Sequence, residues 1–231
     1  MKASWRIGRI AGIDVDVHWT FLMLIAWVLL SYFLQGAPLS AALGELAFVL
    51  ALFASVVVHE LGHALTARRY GIQTRDITLL PIGGVAQLER MPEDPRQEFW
   101  VAIAGPLASL GLSAVLFALA WVTNSLEPLD GVARGGGSFV GSLALANLSL
   151  ALFNLLPAYP MDGGRVFQAL LAQRMGHARA TKVAATLGQV MAVLFGLAGL
   201  LYDPYFLLIA LFIWVGASQE SDRARQDPTQ A

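Results

Sequence analysis

The chain has 231 residues, of which 57% are hydrophobic and 13% charged, with a formal net charge of −1 and no cysteine. Soluble domains average about 45–50% apolar and about 25% charged, so an ordinary water-facing enzyme is excluded: its surface would expose too much apolar area. No basic face exists for a nucleic acid, and disulfides, thiolate zinc sites and a cysteine nucleophile are excluded as well.

What remains is a polytopic membrane bundle, and its elements can be taken in chain order. Ser4–Val17 largely alternates polar and apolar residues. It reads as a short β-hairpin (Trp5–Ile10, Val15–Val17) turning at Ala11-Gly12, not as a cleavable signal. Uncharged stretches then mark the crossings, each of which needs about 20 apolar residues at about 1.5 Å. Val17–Gly44 is uncharged for 28 residues, Phe99–Leu126 for 28, Gly135–Met161 for 27 and Val183–Tyr202 for 20. Ala41–Ala67 is strongly apolar but holds Glu45, His59, Glu60 and His63, and Pro204–Gln219 is uncharged for 16 residues. The expected spans are therefore 18–35, 41–67, 99–123, 137–157, 183–202 and 204–218. Two longer loops, 68–97 and 158–182, join them, Gly135-Gly136-Gly137 makes an outer turn, and 221–231 is a flexible tail. No internal repeat or linker is found, so the expected fold is all-α: six transmembrane helices in one domain, 1–220, behind the N-terminal hairpin. On this count 14 of the 15 Lys and Arg residues fall on one side, with only Arg134 opposite. Positive charge marks the cytoplasmic face, so both termini are expected there, in a multi-pass inner-membrane protein.

Chemistry concentrates in the second span, as His59-Glu60-Leu61-Gly62-His63. Histidines at i and i+4 share a helix face and can reach one metal ion, with Glu60 beside them to take a proton from a water. With 4 His and 7 Glu in the chain, about 0.002 such matches arise by chance. A charge near the bilayer centre costs roughly 2.5–3.5 kcal/mol, which a bound Zn²⁺ would offset; polar contacts between helices are the plainer alternative. A catalytic zinc usually takes three protein ligands and a water. His18, at the start of the first span, and His177, in a polar loop, have simpler explanations. Asp162 is the better third ligand: it ends the fourth apolar run on a segment broken by Pro157 and Pro160, with Gly163-Gly164 allowing a sharp turn. Asn154, eight residues earlier, either orients a substrate carbonyl or joins helices, as Asn147 is expected to.

HELGH at 59–63 and NLLPAYPMDGGR at 154–165 resemble the site-2 protease family of intramembrane zinc metalloproteases, in a compact form without PDZ or CBS modules. The resemblance implies one zinc per chain held by His59, His63 and Asp162, Glu60 as general base, and Asn154 as a substrate-orienting residue. Ile77–Leu88 looks like that family's membrane-associated β segment, which implies pairing with an unwound substrate. Gly105-Pro106 resembles the family's G-P-x-x-N element, but Ser109 stands where Asn is common, and no role is assigned to it. The implied activity is hydrolysis of peptide bonds in or near transmembrane segments of membrane-protein substrates, at a site nearer the cytoplasmic face. A metal-ion transporter and an inactive zinc-binding scaffold stay open from the residues alone, as does a homo-oligomer.

Overall fold

The polar–apolar alternation at the start of the chain does close into a hairpin. In the computed structural model β1 (Ser4–Ile10) and β2 (Ile13–His18) pair antiparallel across Ala11 and Gly12. Both turn residues take positive φ, 52° and 85°, as a two-residue hairpin turn of type I′ requires. The structure describes residues 4–92, 94–125 and 138–226; the expected outer turn at 135–137 and Arg134, and the tail beyond 226, lie outside them. The described chain continues as α1 (Trp19–Leu34), α2 (Leu39–Arg69), β3 (Thr74–Leu80), β4 (Gly83–Leu88), α3 (Pro95–Val122), α4 (Phe139–Asn154), α5 (Asp162–Met175), α6 (His177–Leu201) and α7 (Tyr205–Gln226). These elements pack as two compact units, Met1–Arg90 with Leu107–Ala151, and Met91–Pro106 with Leu152–Ala231.

In the first unit the hairpin and the later β segment are one sheet, in the order β1-β2-β3-β4. The expected fold kept them apart, because nothing local marks a parallel pairing made across two intervening helices. β2 and β3 run parallel, with Val15 opposite Ile77 and Val17 opposite Leu79, and α1 and α2 supply the crossover that a parallel pair needs. Alternate residues of the sheet meet the two helices: Val15, Val17 and Leu79 form a core with Phe21, Phe53, Val56 and Val57. The rings of Phe21 and Phe53 sit edge to face at 4.6 Å. Arg68 at the end of α2 donates to the carbonyl of Ala11, tying the helix to the hairpin turn.

The second unit is organised around residues 155–161, which leave helical geometry at Asn154 and re-enter it at Asp162. Ala158 and Met161 pack with Ala192 and Ile213, and Tyr159 with Ala184, Ala185 and Ala217, so α6 and α7 enclose this segment. α5 occupies most of what reads as a polar loop, 158–182. Its buried residues are Gly163, Gly164, Gln168, Ala169 and Ala172, too small or polar a face to register as a hydrophobic run. α6 inverts the pattern of a soluble helix: it buries Ala184, Ala185, Gly188 and Ala192 and exposes Val190, Val193, Leu194 and Leu197. Small residues inward and large apolar ones outward suit a helix facing lipid.

Among the described residues three helices, α2, α3 and α6, are long and apolar enough to cross a membrane, while α1 and α4 are apolar but shorter. At 16 residues each, α1 and α4 reach about 24 Å, against a hydrocarbon thickness of about 30 Å. Six crossings therefore exceed what helix length and composition support directly. α4 stops short of its expected end at 157 because the chain turns at Leu155 and Leu156, ahead of Pro157.

Candidate metal centre

α2 carries three of the expected site residues, in regular helix anchored by Val56 and Val57 in the sheet core. His59 and His63 are 4% and 9% exposed. Their rings stand edge to face with centroids 4.9 Å apart, and their Nε2 atoms are 3.2 Å apart. Two imidazoles on a tetrahedral zinc, each at about 2.0–2.1 Å, place their nitrogens about 3.3–3.4 Å apart. The pair thus fits one shared ion.

Ser109, fully buried on α3, lies with Oγ 2.9 Å from His59 Nδ1. Assigning the imidazole proton to Nδ1, which donates to this hydroxyl, leaves the lone pair on Nε2, the atom that faces His63. Metal-binding histidines commonly have their second nitrogen held in this way. Sequence reasoning gave Ser109 no role. The available signal was its position four residues after Gly105, in the G-P element, but a helical serine says nothing about which partner it meets.

Glu60 points to the sheet. Its Oε2 accepts the Ala86 N–H at 3.2 Å. β4 comes so close to α2 that a Cβ on Gly84 would stand 2.8 Å from Glu60 Cγ and 2.9 Å from Val56 Cγ1, so only glycine fits there. Leu80 and Gly83 flank a two-residue turn, and Glu89 N–H donates to Gln73 O at 2.9 Å. Hydrogen-bonded and non-bonded pairs alternate in an antiparallel ladder. The odd-numbered N–H groups of β4 therefore face β3, and those of Gly84, Ala86 and Leu88 face away. Among the described residues β4 pairs with β3 alone, and the Glu60 carboxylate lies on its open side.

The second unit carries the remaining expected residues. Asp162 is the first residue of α5, half-buried, with its carboxylate at the favourable positive end of the helix. Gly163 and Gly164 do not form the sharp turn expected of them; both are inside α5. Their function is clearance, since a Cβ on Gly163 would run into the main chain of Leu155 and Leu156, and one on Gly164 would stand 2.7 Å from Ala158 C and Tyr159 N. Asn154 ends α4, half-buried. In the first unit Asn147 donates to Ser55 Oγ and Leu143 O, joining α4 to α2.

His18 caps α1 and contacts Thr20. His177 starts α6 instead of lying in a loop. Its Nε2 accepts from Gln168 Nε2 at 2.9 Å, and its Nδ1 lies 3.8 Å from Glu98 Oε2. Gln168 also donates to Thr181 Oγ1 and accepts from the Tyr159 hydroxyl. Burial pushes that hydroxyl well above its usual titration range, so it serves as a donor. This buried chain fixes residues 155–161 from behind.

Comparison with known proteins agrees with these features. The model of peptidase family M50 matches residues 47–135 and 129–197. A zinc metalloprotease of Methanocaldococcus jannaschii is 37% identical over 222 residues, 96% of this chain and 61% of its own length. Stage IV sporulation protein FB of Bacillus subtilis is 30% identical over 148 residues, 64% of this chain and 48% of its own. The chain thus spans about half to three fifths of these relatives. The solved structure of the site-2 protease from Methanocaldococcus jannaschii matches with a TM-score of 0.67 and 36% identity, covering 94% of this chain and 95% of that one. With a family model across most of its length and a solved relative matched almost end to end, this membrane protein belongs to peptidase family M50, the site-2 proteases.

Proposed function

We propose that the chain is an intramembrane zinc metalloprotease that hydrolyses peptide bonds in or near transmembrane segments of other membrane proteins. The observation that carries this is the pair of facing imidazole nitrogens, His59 Nε2 and His63 Nε2, with Glu60 adjoining them on α2. Asp162 is the third ligand in this proposal. Its support is that His59, His63 and Asp162 are a group, among the described residues, with the donor kinds and number to hold one metal ion. Two imidazoles and a carboxylate are a donor set that zinc takes in catalytic sites, and the archaeal relative is named a zinc metalloprotease.

Zinc, when bound, supplies a Lewis acid that polarises a peptide carbonyl and acidifies a water. Glu60 accepts a proton at its carboxylate and delivers it to the departing amide nitrogen, so no covalent enzyme intermediate is needed. Asn154 donates its side-chain amide to the substrate carbonyl oxygen. An intact helix shields its own amides in internal hydrogen bonds, so the substrate segment must be extended when cut. It adds to the open side of β4, toward which the N–H groups of Gly84, Ala86 and Leu88 point. Spans weakened by glycine or proline are the expected class.

Six crossings with both termini cytoplasmic are the proposed topology, supported by the three long apolar helices and by the one-sided Lys and Arg distribution. His63 lies six residues before the end of α2 at Arg69, about 9 Å along the helix, which suits a site near the cytoplasmic face. In this reading residues 1–220 act as one proteolytic domain.

The test uses wild type, Glu60→Gln and Asp162→Ala purified in detergent, with zinc content and cleavage of a single-span protein both measured. Glu60→Gln keeps zinc and loses about 10²–10⁴ in cleavage rate, whereas Asp162→Ala loses zinc as well. Full cleavage by Glu60→Gln, or undiminished zinc binding by Asp162→Ala, overturns the assignment.

A further inference from the structure

The contact between Glu60 and Ala86 joins the proposed base to the proposed substrate edge, two features that need not touch. Glu60 Oε2 stands 3.2 Å from Ala86 N, where the carbonyl oxygen of an added strand would stand. The arrangement is built in: Gly84 lacks the Cβ that would collide with Glu60 Cγ, and Ala86 itself packs toward Ile13, Ala64 and Ile77, which fixes the strand beneath its outward N–H.

We propose that the Ala86 N–H is a shared donor, accepted by Glu60 before substrate arrives and by a main-chain carbonyl of the substrate once an extended segment pairs with β4. Binding of a strand thereby displaces the Glu60 carboxylate from the sheet edge and releases it toward the scissile bond. The base is engaged only when an unwound segment occupies the edge, and an intact helix, whose carbonyls are committed internally, does not displace it. This inference rests on the reading of β4 as the substrate edge.

Binding without turnover tests it, in proteins that cannot cleave. The probe is a fluorescein-labelled synthetic single-span peptide of leucine and alanine with two central glycines, in detergent micelles, with Kd read by anisotropy. Glu60→Gln keeps an acceptor oxygen for the Ala86 N–H, and Glu60→Ala removes it; both remove the charge. Freed of its competitor, the Glu60→Ala protein binds the peptide about three- to tenfold more tightly than the Glu60→Gln protein. Adding Ala86→Pro, which deletes the donor at an outward position where a strand tolerates proline, weakens both to a common Kd. Equal or weaker binding by Glu60→Ala, with Ala86→Pro still weakening binding, overturns the exchange but leaves the substrate edge standing. No effect of Ala86→Pro in either background overturns both. If Ala86→Pro fails to load zinc, a disulfide cross-link from Val85→Cys, an exposed position in a chain without cysteines, to a cysteine at the peptide centre replaces it. Absence of that cross-link sinks the edge and the exchange together.

Discussion

The two units bury different kinds of residue. The first packs large side chains, Val15, Val17, Phe21, Phe53 and Leu79, between a sheet and two helices. The second packs alanines and glycines of α6 and α7, together with Ile213, around residues 158–161, whose Tyr159 and Met161 side chains are themselves buried. A core of large side chains is held by the area it buries and tolerates small adjustments through rotamers. Where small residues bring main chain against main chain, as Gly163 and Gly164 do beneath residues 155–159, there is no such slack, because the backbone cannot rotate away. The division matches the proposed roles: the first unit carries His59, Glu60 and His63 on a regular helix, and the second carries Asp162 at the start of α5, directly after the irregular segment 155–161.

The sharpest way to break this comparison is to add one methyl group to each unit. Gly163→Ala drives a Cβ into the main chain of Leu155 and Leu156, and we expect it to cost more than about 4 kcal/mol and to abolish zinc binding. Gly111→Ala, inside α3 with nothing within 4 Å of its Cβ position, gains up to about 1 kcal/mol from helix propensity. Denaturation midpoints in mixed micelles, together with zinc content, report both. If the two substitutions behave alike, backbone clearance is not what glycine supplies at 163.

Next in size is Phe53→Ala. Phe53 is 8% exposed and edge to face with Phe21, and its truncation should cost about 3–5 kcal/mol through lost burial and a cavity. Ala192→Leu in the second unit should cost about 1–3 kcal/mol by the opposite route, overpacking. Unfolding measurements showing Phe53→Ala to be nearly neutral would remove the distinction between the two cores.

How much of this was legible in the residues depends on the range over which each feature is determined. HELGH lies within two helical turns, so spacing alone brings His59 and His63 together. The N-terminal strands were visible as alternation and residues 77–88 through the family resemblance, yet the single sheet was not, since β2 and β3 meet only after α1 and α2 have folded between them. α5 escaped because its buried face is glycine, alanine and Gln168, and the clearance needed at Gly163 and Gly164 became apparent only with residues 155–159 folded over them. Pro157, Pro160 and Asp162 still pointed to the right segment. Ser109 stayed silent for a related reason: its partner is fifty residues away on another helix.

That partner makes Ser109→Ala a smaller but more selective prediction within the first unit. Loss of the hydroxyl removes the Ser109 contact at His59 Nδ1 and with it one constraint on the tautomer and orientation of the ring, so zinc affinity should fall about 10–100-fold. The denaturation midpoint of the zinc-free protein should hardly move. Competition with a zinc chelator measures the first, and an unchanged affinity would show that helix geometry alone orients His59.

The smallest expected effect lies behind the 155–161 segment. Tyr159→Phe removes the donor to Gln168 Oε1 while leaving ring packing against Ala184, Ala185 and Ala217 intact. A buried acceptor left unsatisfied costs about 1–3 kcal/mol, and Gln168 is 3% exposed, so water does not replace the lost partner. The loss should be local. Amide exchange should quicken across residues 155–161 and the first turn of α5, while the amides of α2 around His59 and His63 keep their protection. Protection lost equally in α2 would mean that the two units do not hold their functional residues independently, and that the difference between their cores has no bearing on how each presents its share of the site.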